Sequence, residues 1–338
     1  MGTSLAAHLA HRAAAVDTAA AAGAVPRPVV LAQRDGATVV RSGGVVAKAH
    51  APDSDPGRLA VRLSVAAHPL LHGVLLAPLS PAGAAPRTAA ADHGRASARY
   101  GPLFDLLPDG RPTTLWPYGV PVDPEVPEAA PWEAAGALLA RLHAVPAAAL
   151  PGPPPAMRGP AKAARALEEM SRGLRRTAAT RAVEAAWVSL PAWARDTAPP
   201  PRSDTLCHGD LHLGQLVRHP APDGPWHLID IDDLGLGDPA WDLARPAAWF
   251  ATGLLPPAAF GRFLDAYRAA GGSALPGTGG GRPDPWPWLD VPARALTVQS
   301  AARALTRADA EGRAPDEVDR ALVDACSRIA GTVGGGEP

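Results

Sequence analysis

The sequence predicts an α+β chain of two lobes, a small antiparallel β lobe followed by a larger, mainly helical one. Three observations carry this expectation. β-Branched runs punctuated by turn residues fill Pro28 to His50, helical spacing dominates beyond Pro131, and the Pro-rich stretch Val120 to Pro131 separates the two patterns. The first lobe is therefore expected at residues 1–116, a hinge and linker at 117–131, and the second lobe at 132–338.

Each element follows from local chemistry. The Ala-rich run Ser4 to Ala22 is a helix former; His8, His11, Arg12 and Asp17 interrupt it, which makes it a poor signal peptide. Pro28 to Gln33 and Ala37 to Arg41 flank Asp35-Gly36, a hairpin signal because the turn needs positive φ. Ser42-Gly43-Gly44 turns the chain again into Val45 to His50. Arg58 to Leu71 has helical spacing, while Gly73 to Leu79 and Arg95 to Leu106 are expected to complete the sheet. Trp116-Pro117-Tyr118-Gly119 breaks the pattern. Pro131 then fits a helix's first turn, and Leu138, Leu139 and Leu142 form an apolar stripe. Further helices are expected over Lys162 to Leu190, Pro239 to Thr252, Pro257 to Ala270, Pro292 to Asp309 and Asp316 to Ile329, with loops at Pro151 to Pro155, Pro199 to Pro201 and Gly277 to Gly281.

Composition narrows the function classes. An apolar content of 47% is ordinary for a water-soluble chain, and a formal net charge of -1 gives no general attraction to nucleic acid or to membranes. No run approaches the roughly 18 consecutive apolar residues of a membrane helix. Two cysteines, Cys207 and Cys326, exclude a disulfide framework and point to the cytoplasm.

The chemistry concentrates in one region. His208-Gly209-Asp210 is followed, after four residues, by the amide Gln215; the strand-like Trp226-His227-Leu228-Ile229 then delivers Asp230, and Gly237-Asp238-Pro239-Ala240-Trp241-Asp242 opens a helix. Kinase catalytic loops use the same order, with one acid meeting the acceptor hydroxyl and a later acid holding the metal that carries the phosphates. These segments resemble the aminoglycoside phosphotransferase and choline kinase superfamily, whose fold is protein-kinase-like. Gln215 in place of the usual Asn resembles the maltokinase-like branch, and Asp230-Ile231-Asp232 replaces Asp-Phe-Gly.

The resemblance implies an ATP- and Mg²⁺-dependent transfer to a hydroxyl of a small molecule such as an aminoglycoside, amino sugar, sugar or amino alcohol. Asp210 is the expected catalytic carboxylate, with His208 buttressing the loop. Asp230 is expected to bind the metal, Gln215 a second metal position, and Asp232 either metal or substrate. Lys48, ending Val45-Val46-Ala47-Lys48, is expected on the phosphates, and Trp116 and Tyr118 near the adenine. The usual Glu partner of such a lysine is missing, since no Glu precedes Glu125; either Asp53 or Asp55 substitutes, or Lys48 stands without an ion pair. No G-x-G-x-x-G is present, which leaves Asp35-Gly36 as the candidate phosphate-covering turn. Asp238 and Asp242 read as supports of the helix start and the loop. Asp265, Asp284 and Asp290 could line an acidic wall for an amine acceptor, although a solvated surface explains them equally. Two other classes stay open at this point: a nucleotide-binding pseudokinase, and a metal-dependent hydrolase built on His208, Asp210 and His212. The sequence does not specify the oligomeric state.

Overall fold

The computed structural model describes residues 4–17, 27–34, 37–81, 103–276 and 283–331. The Asp35-Gly36 turn and the Gly277 to Gly281 loop lie outside them, as does most of Arg95 to Leu106. In chain order the first elements are α1 (Leu5–Val16), β1 (Val29–Arg34), β2 (Ala37–Ser42), β3 (Val45–Ala49), α2 (Pro56–Ala66), β4 (Asp105–Leu106), β5 (Pro112–Pro117), β6 (Val120–Pro121), α3 (Trp132–His143), α4 (Gly159–Gly173) and α5 (Ala178–Val188). They are followed by β7 (Thr205–Cys207), β8 (Leu216–Arg218), β9 (Trp226–Leu228), β10 (Gly235–Gly237), α6 (Ala240–Ala251), α7 (Pro257–Ala269), α8 (Trp286–Ala310) and α9 (Glu317–Gly331). An antiparallel sheet followed by a mainly helical region is the α+β order the sequence predicts.

The chain forms two compact units, and it passes between them more than once. The first comprises Met1–Ala130, Val145–Pro155 and Leu213–Asp232; the second comprises Pro131–Ala144, Ala156–His212 and Asp233–Pro338.

In the first unit, an antiparallel sheet runs in the order β1-β2-β3-β5-β4. Side chains alternate across a strand, so β3 buries Val45, Ala47 and Ala49 while Val46 and Lys48 face the other way. The buried face packs on α1 through Leu9 and Ala13, joined by Val40, Leu107 and Leu115. Ser4 accepts from the Ala7 amide to start α1, Asp17 at its end accepts from the Gly44 amide at 2.9 Å, and Arg12 pairs with Asp105. Lys48 is thereby aimed away from the apolar core by strand periodicity alone.

A second small sheet, β6-β8-β9, carries the segment leading to Asp230. Gly73 to Leu79 does not extend the main sheet as expected. Leu75 bridges Leu228 and Leu79 bridges Leu115 as isolated pairs, because the amide and carbonyl of Leu228 are taken up by Val74 and Leu76 at 2.8 and 2.9 Å.

The second unit is helical around α8, which is buried along Leu289, Ala293, Leu296, Val298, Ala301 and Leu305. This helix starts six residues earlier than expected, with Pro292 inside it rather than at its first turn. The expected single helix Lys162 to Leu190 divides, because Thr177 and Thr180 form a reciprocal capping box that begins α5. Helix α3 lies directly on α7: a Cβ on Gly136 would meet the Phe263 carbonyl oxygen at 2.3 Å. Trp132, at the head of α3, packs edge-on against Trp249 and Phe263.

Gly136→Ala is expected to force α3 away from backbone atoms that cannot swing aside, at a cost of about 1–3 kcal/mol. Thermal unfolding checks this, and an unchanged midpoint would mean that the helices are not in this contact.

Candidate active site

In the second unit, β7 is wholly buried and pairs antiparallel with β10. The chain leaves β7 into His208, Gly209 and Asp210. Here Asp242, in the first turn of α6, takes over the backbone: Oδ2 accepts from the His208 amide at 2.6 Å and Oδ1 from the Gly209 amide at 2.7 Å. A carboxylate at a helix N-terminus is also favoured by the helix dipole. Gly209 needs its missing side chain twice over. Its φ is +85°, and a Cβ would lie 2.4 Å from the Asp233 carbonyl oxygen.

Asp242 is itself fixed. His143 Nε2 lies 3.0 Å from Asp242 Oδ2, and His143 Nδ1 lies 2.8 Å from the Tyr267 hydroxyl. That hydroxyl accepts from the Ala274 amide at 2.9 Å. A neutral His143 protonated on Nε2 satisfies every group in this buried chain, with Tyr267 donating to Nδ1. Burial raises the Tyr267 phenol well above its usual range, aided by Asp242 and Cys207. Asp238 accepts from the Ala240 amide at 3.0 Å and supports the start of α6.

Asp210 projects from this braced loop between two cations. Lys162 Nζ lies 2.6 Å from Oδ2 and Arg245 Nη2 lies 2.6 Å from Oδ1. Burial alone would raise the Asp210 pKa; Lys162 and Arg245 outweigh it and hold the carboxyl well below the usual range. Lys162 also contacts Asp233 Oδ2 at 2.6 Å, with Arg158 Nε 3.6 Å from Asp233 Oδ1. Burial is the stronger influence on Asp233 and lifts its pKa above the usual range.

In the first unit, Lys48 Nζ lies 2.7 Å from Asp230 Oδ1 and 2.9 Å from Asp232 Oδ2. Burial would lower the Lys48 pKa, but the two carboxylates raise it well above its usual range. His50 shares the Lys48 side of the strand, two residues on, and its Nδ1 lies 3.1 Å from Asp232 Oδ1. His50 Nε2 is 2.9 Å from Thr114 Oγ1, which also accepts from Trp116 Nε1 at 2.9 Å. Burial pushes Asp232 up, and Lys48 and His50 pull it well below the usual range. Asp230 has φ +64°, a left-handed conformation uncommon for a side-chain-bearing residue and concentrated at functional sites. Gln215 is buried, with Nε2 3.5 Å from Asp230 Oδ2.

The structure thus brings Lys48, Asp230, Asp232 and Gln215 together within the first unit. It resolves the missing Glu in neither of the anticipated ways. Asp55 caps α2 through the Gly57 and Arg58 amides, and the partners of Lys48 come from the segment after β9. Trp116 joins the chain to His50, while Tyr118 stacks under Arg41 and engages Gly44 and His219 through its backbone.

Sequence reasoning missed His50, His143, Lys162, Asp233, Arg245 and Tyr267. Strand periodicity from Lys48 signals His50, and a lysine in the first turn of a helix is a signal at Lys162, since cations are disfavoured there. Nothing local signals His143 or Tyr267.

His208, Asp210 and His212 do not gather their ligand atoms; among the described residues, the cluster that does is His143, Cys207 and Asp242. Hydrogen bonds already engage both His143 nitrogens and both Asp242 oxygens. Burial, with Asp242 and Asp238 nearby, lifts the Cys207 thiol well above its usual range.

A model of the phosphotransferase enzyme family matches residues 54–286. A choline/ethanolamine kinase family protein from Mesorhizobium loti superposes with a TM-score of 0.54 at 16% identity, covering 97% of this chain and 94% of that one. A thermostable mutant of aminoglycoside phosphotransferase APH(4)-Ia gives 0.58 at 14% identity, covering 93% and 96%. Another mutant of that enzyme, in ternary complex with AMP-PNP and hygromycin B, gives 0.56 at 13% with the same coverage. These likenesses are likenesses of fold. No curated protein matches the chain.

The depressed carboxyls Asp210 and Asp232 contribute stability that is fully present above the ordinary aspartate value of 3.8 and is lost as pH falls below it. Lys48→Met removes the cation that holds Asp232 down. The variant is expected to be less stable at neutral pH but to lose stability less steeply between about pH 4 and about pH 2. Urea midpoints across that range check it, and a slope equal to the parent's would contradict the ion pair.

Proposed function

The chain belongs to the phosphotransferase enzyme family as an ATP-dependent enzyme acting on small molecules, and we propose that it transfers the γ-phosphoryl group to a hydroxyl presented to Asp210. Lys48, Asp230 and Asp232 serve the nucleotide. The observation that carries this reading is that both halves of the motif end in a carboxylate paired with a largely buried lysine, Lys162 for Asp210 and Lys48 for Asp230.

The roles follow from charge. Asp210, held ionised by two cations, is a weak base; it accepts a hydrogen bond from the acceptor hydroxyl and aligns its oxygen. The bond from that oxygen to the γ-phosphorus forms while the bond to the β–γ bridging oxygen breaks, releasing ADP. The hydroxyl proton passes to Asp210 late, as negative charge leaves the attacking oxygen. A loose transition state makes little demand on the base, so alignment matters more than proton affinity. Lys48 carries charge for the phosphates, and the Asp242 brace keeps Asp210 from drifting.

The donor set fits Mg²⁺, which takes hard oxygens and one or two carboxylates. Asp230 and Asp232 would hold it. Gln215 can turn its amide oxygen toward the same place by a half-turn of the terminal bond. Bound there, Mg²⁺ supplies positive charge to the phosphate oxygens. The cytoplasmic placement rests on two buried free thiols and on the absence, among the described residues, of any helix long and apolar enough to cross a membrane.

Asp210→Ala is expected to lower the rate of ADP release by about 10²–10⁴-fold while calorimetry shows ATP still binding. Near-native turnover would remove the mechanism, and nucleotide binding without ADP release from the unaltered enzyme would identify a pseudokinase. Asp230→Asn, or chelation with EDTA, is expected to abolish the ATP-induced rise in melting temperature. A rise that survives both would place the metal elsewhere.

A further inference from the structure

Three cations surround two carboxylates in the second unit. Arg158, Lys162 and Arg245 face Asp210 and Asp233, leaving one positive charge in excess. Both Asp210 oxygens are occupied at 2.6 Å, and Asp233 is held by Lys162 at 2.6 Å with Arg158 alongside. With both carboxylates already matched by cations, the cluster offers an ammonium group no net negative charge.

The cations, by contrast, have capacity in hand. Arg158 reaches Asp233 only at 3.6 Å, and its side chain is 46% exposed. Arg245 spends one terminal nitrogen on Asp210, and its buried Nε has no partner in the structure. Arg158 is the N-cap of the 15-residue α4 with no side-chain cap, and Lys162 sits in the first turn. Two cations at the positive end of a helix are locally unfavourable, and an anion relieves both the dipole and the excess charge.

Two of the acids that might have formed an amine-binding wall are used otherwise. Asp290 pairs with Arg294 at 2.9 Å, and Asp284 accepts from the Trp286 amide at 3.1 Å.

We infer that Arg158, Lys162 and Arg245 form an anion-binding subsite beside Asp210, and that the acceptor is an alcohol bearing a carboxylate or phosphate near the hydroxyl rather than a polyamine. The inference rests on Asp210 as the residue that meets the acceptor. Arginine is suited to this task because its planar fork grips two oxygens of a carboxylate or phosphate at once.

The test uses the full chain with Mg-ATP and two families of alcohols that differ in charge on a common skeleton. One is glycerate, glycerol 3-phosphate, glycerol and 3-amino-1,2-propanediol; the other is glucuronate, glucose 6-phosphate, glucose and glucosamine, with kanamycin as a polycation. Binding is read by calorimetry and transfer by ADP release. At least one acid is expected to bind about tenfold or more tightly than the amine on its own skeleton, with the carboxylate and phosphate arms separating the two kinds of anion. Arg158→Glu is expected to erase that preference by raising the KM of the acid. Preference for the amines or kanamycin, acids that bind no better than amines, or an Arg158→Glu variant that keeps the acid preference would each overturn the inference. ADP release on amine acceptors alone would overturn it while leaving the kinase reading intact. Acid binding without any ADP release would keep the anion subsite but overturn the kinase reading and, with it, the acceptor class.

Discussion

The second unit's part of the site depends on one buried carboxylate whose two oxygens are spent on backbone amides and on His143. Asp242 accepts the His208 and Gly209 amides at 2.6 and 2.7 Å in a place closed to water, where an unmet backbone donor would carry its full desolvation cost. Two short bonds on consecutive amides fix the peptide plane between them. With Gly209 held at φ +85° against the Asp233 carbonyl, the next residue has little choice of direction. The aim of Asp210 is thus set by backbone geometry. His143 and Tyr267 add stiffness, because they link the Asp242 carboxylate through a continuous hydrogen-bonded chain to the Ala274 amide.

Charge is distributed so that each largely buried lysine of the site faces two carboxylates. Lys162 spans Asp210 and Asp233, and Lys48 spans Asp230 and Asp232. Removing one member of such a pair leaves its partner desolvated, so each lysine supports the folded state. The same arrangement sets the chemistry. A carboxyl well below its ordinary pKa is a dependable acceptor of hydrogen bonds and a reluctant acceptor of protons, which suits a reaction governed by alignment and charge.

The sequence made the order of elements and the motif legible because both are local. The Val45-Val46-Ala47-Lys48 run singled out Lys48, helical spacing found α3 and α7, and the run from His208 to Asp242 carried the order of the motif. What it hid depends on long-range encounters. Lys48 meets Asp230 from 182 residues away, and His143 meets Asp242 from 99; neither distance leaves a periodic trace. The absence of a Glu before residue 125 was visible, but the pairing of Lys48 with Asp230 and Asp232 was not, since only the fold brings those residues back to β3. Element ends were the other loss. The capping box at Thr177 and Thr180 broke a helix whose apolar spacing ran on, and Pro292 proved to be inside α8 because neighbouring packing outweighs a missing amide.

Pairing Lys48 with the residues after β9, instead of with a separate helix, couples two tasks that could have been independent. On the proposed reading, a divalent ion would draw on the same oxygens of Asp230 and Asp232 as the ammonium does. One cation facing two carboxylates leaves a single net negative charge, which disfavours a free polyphosphate and favours a metal. With a divalent cation added the sum would become positive, so that metal and nucleotide would be favoured as a joint load. His50 adds a second contact: from a buried position its Nδ1 lies 3.1 Å from Asp232 Oδ1, so that carboxylate faces two nitrogen groups and not the lysine alone.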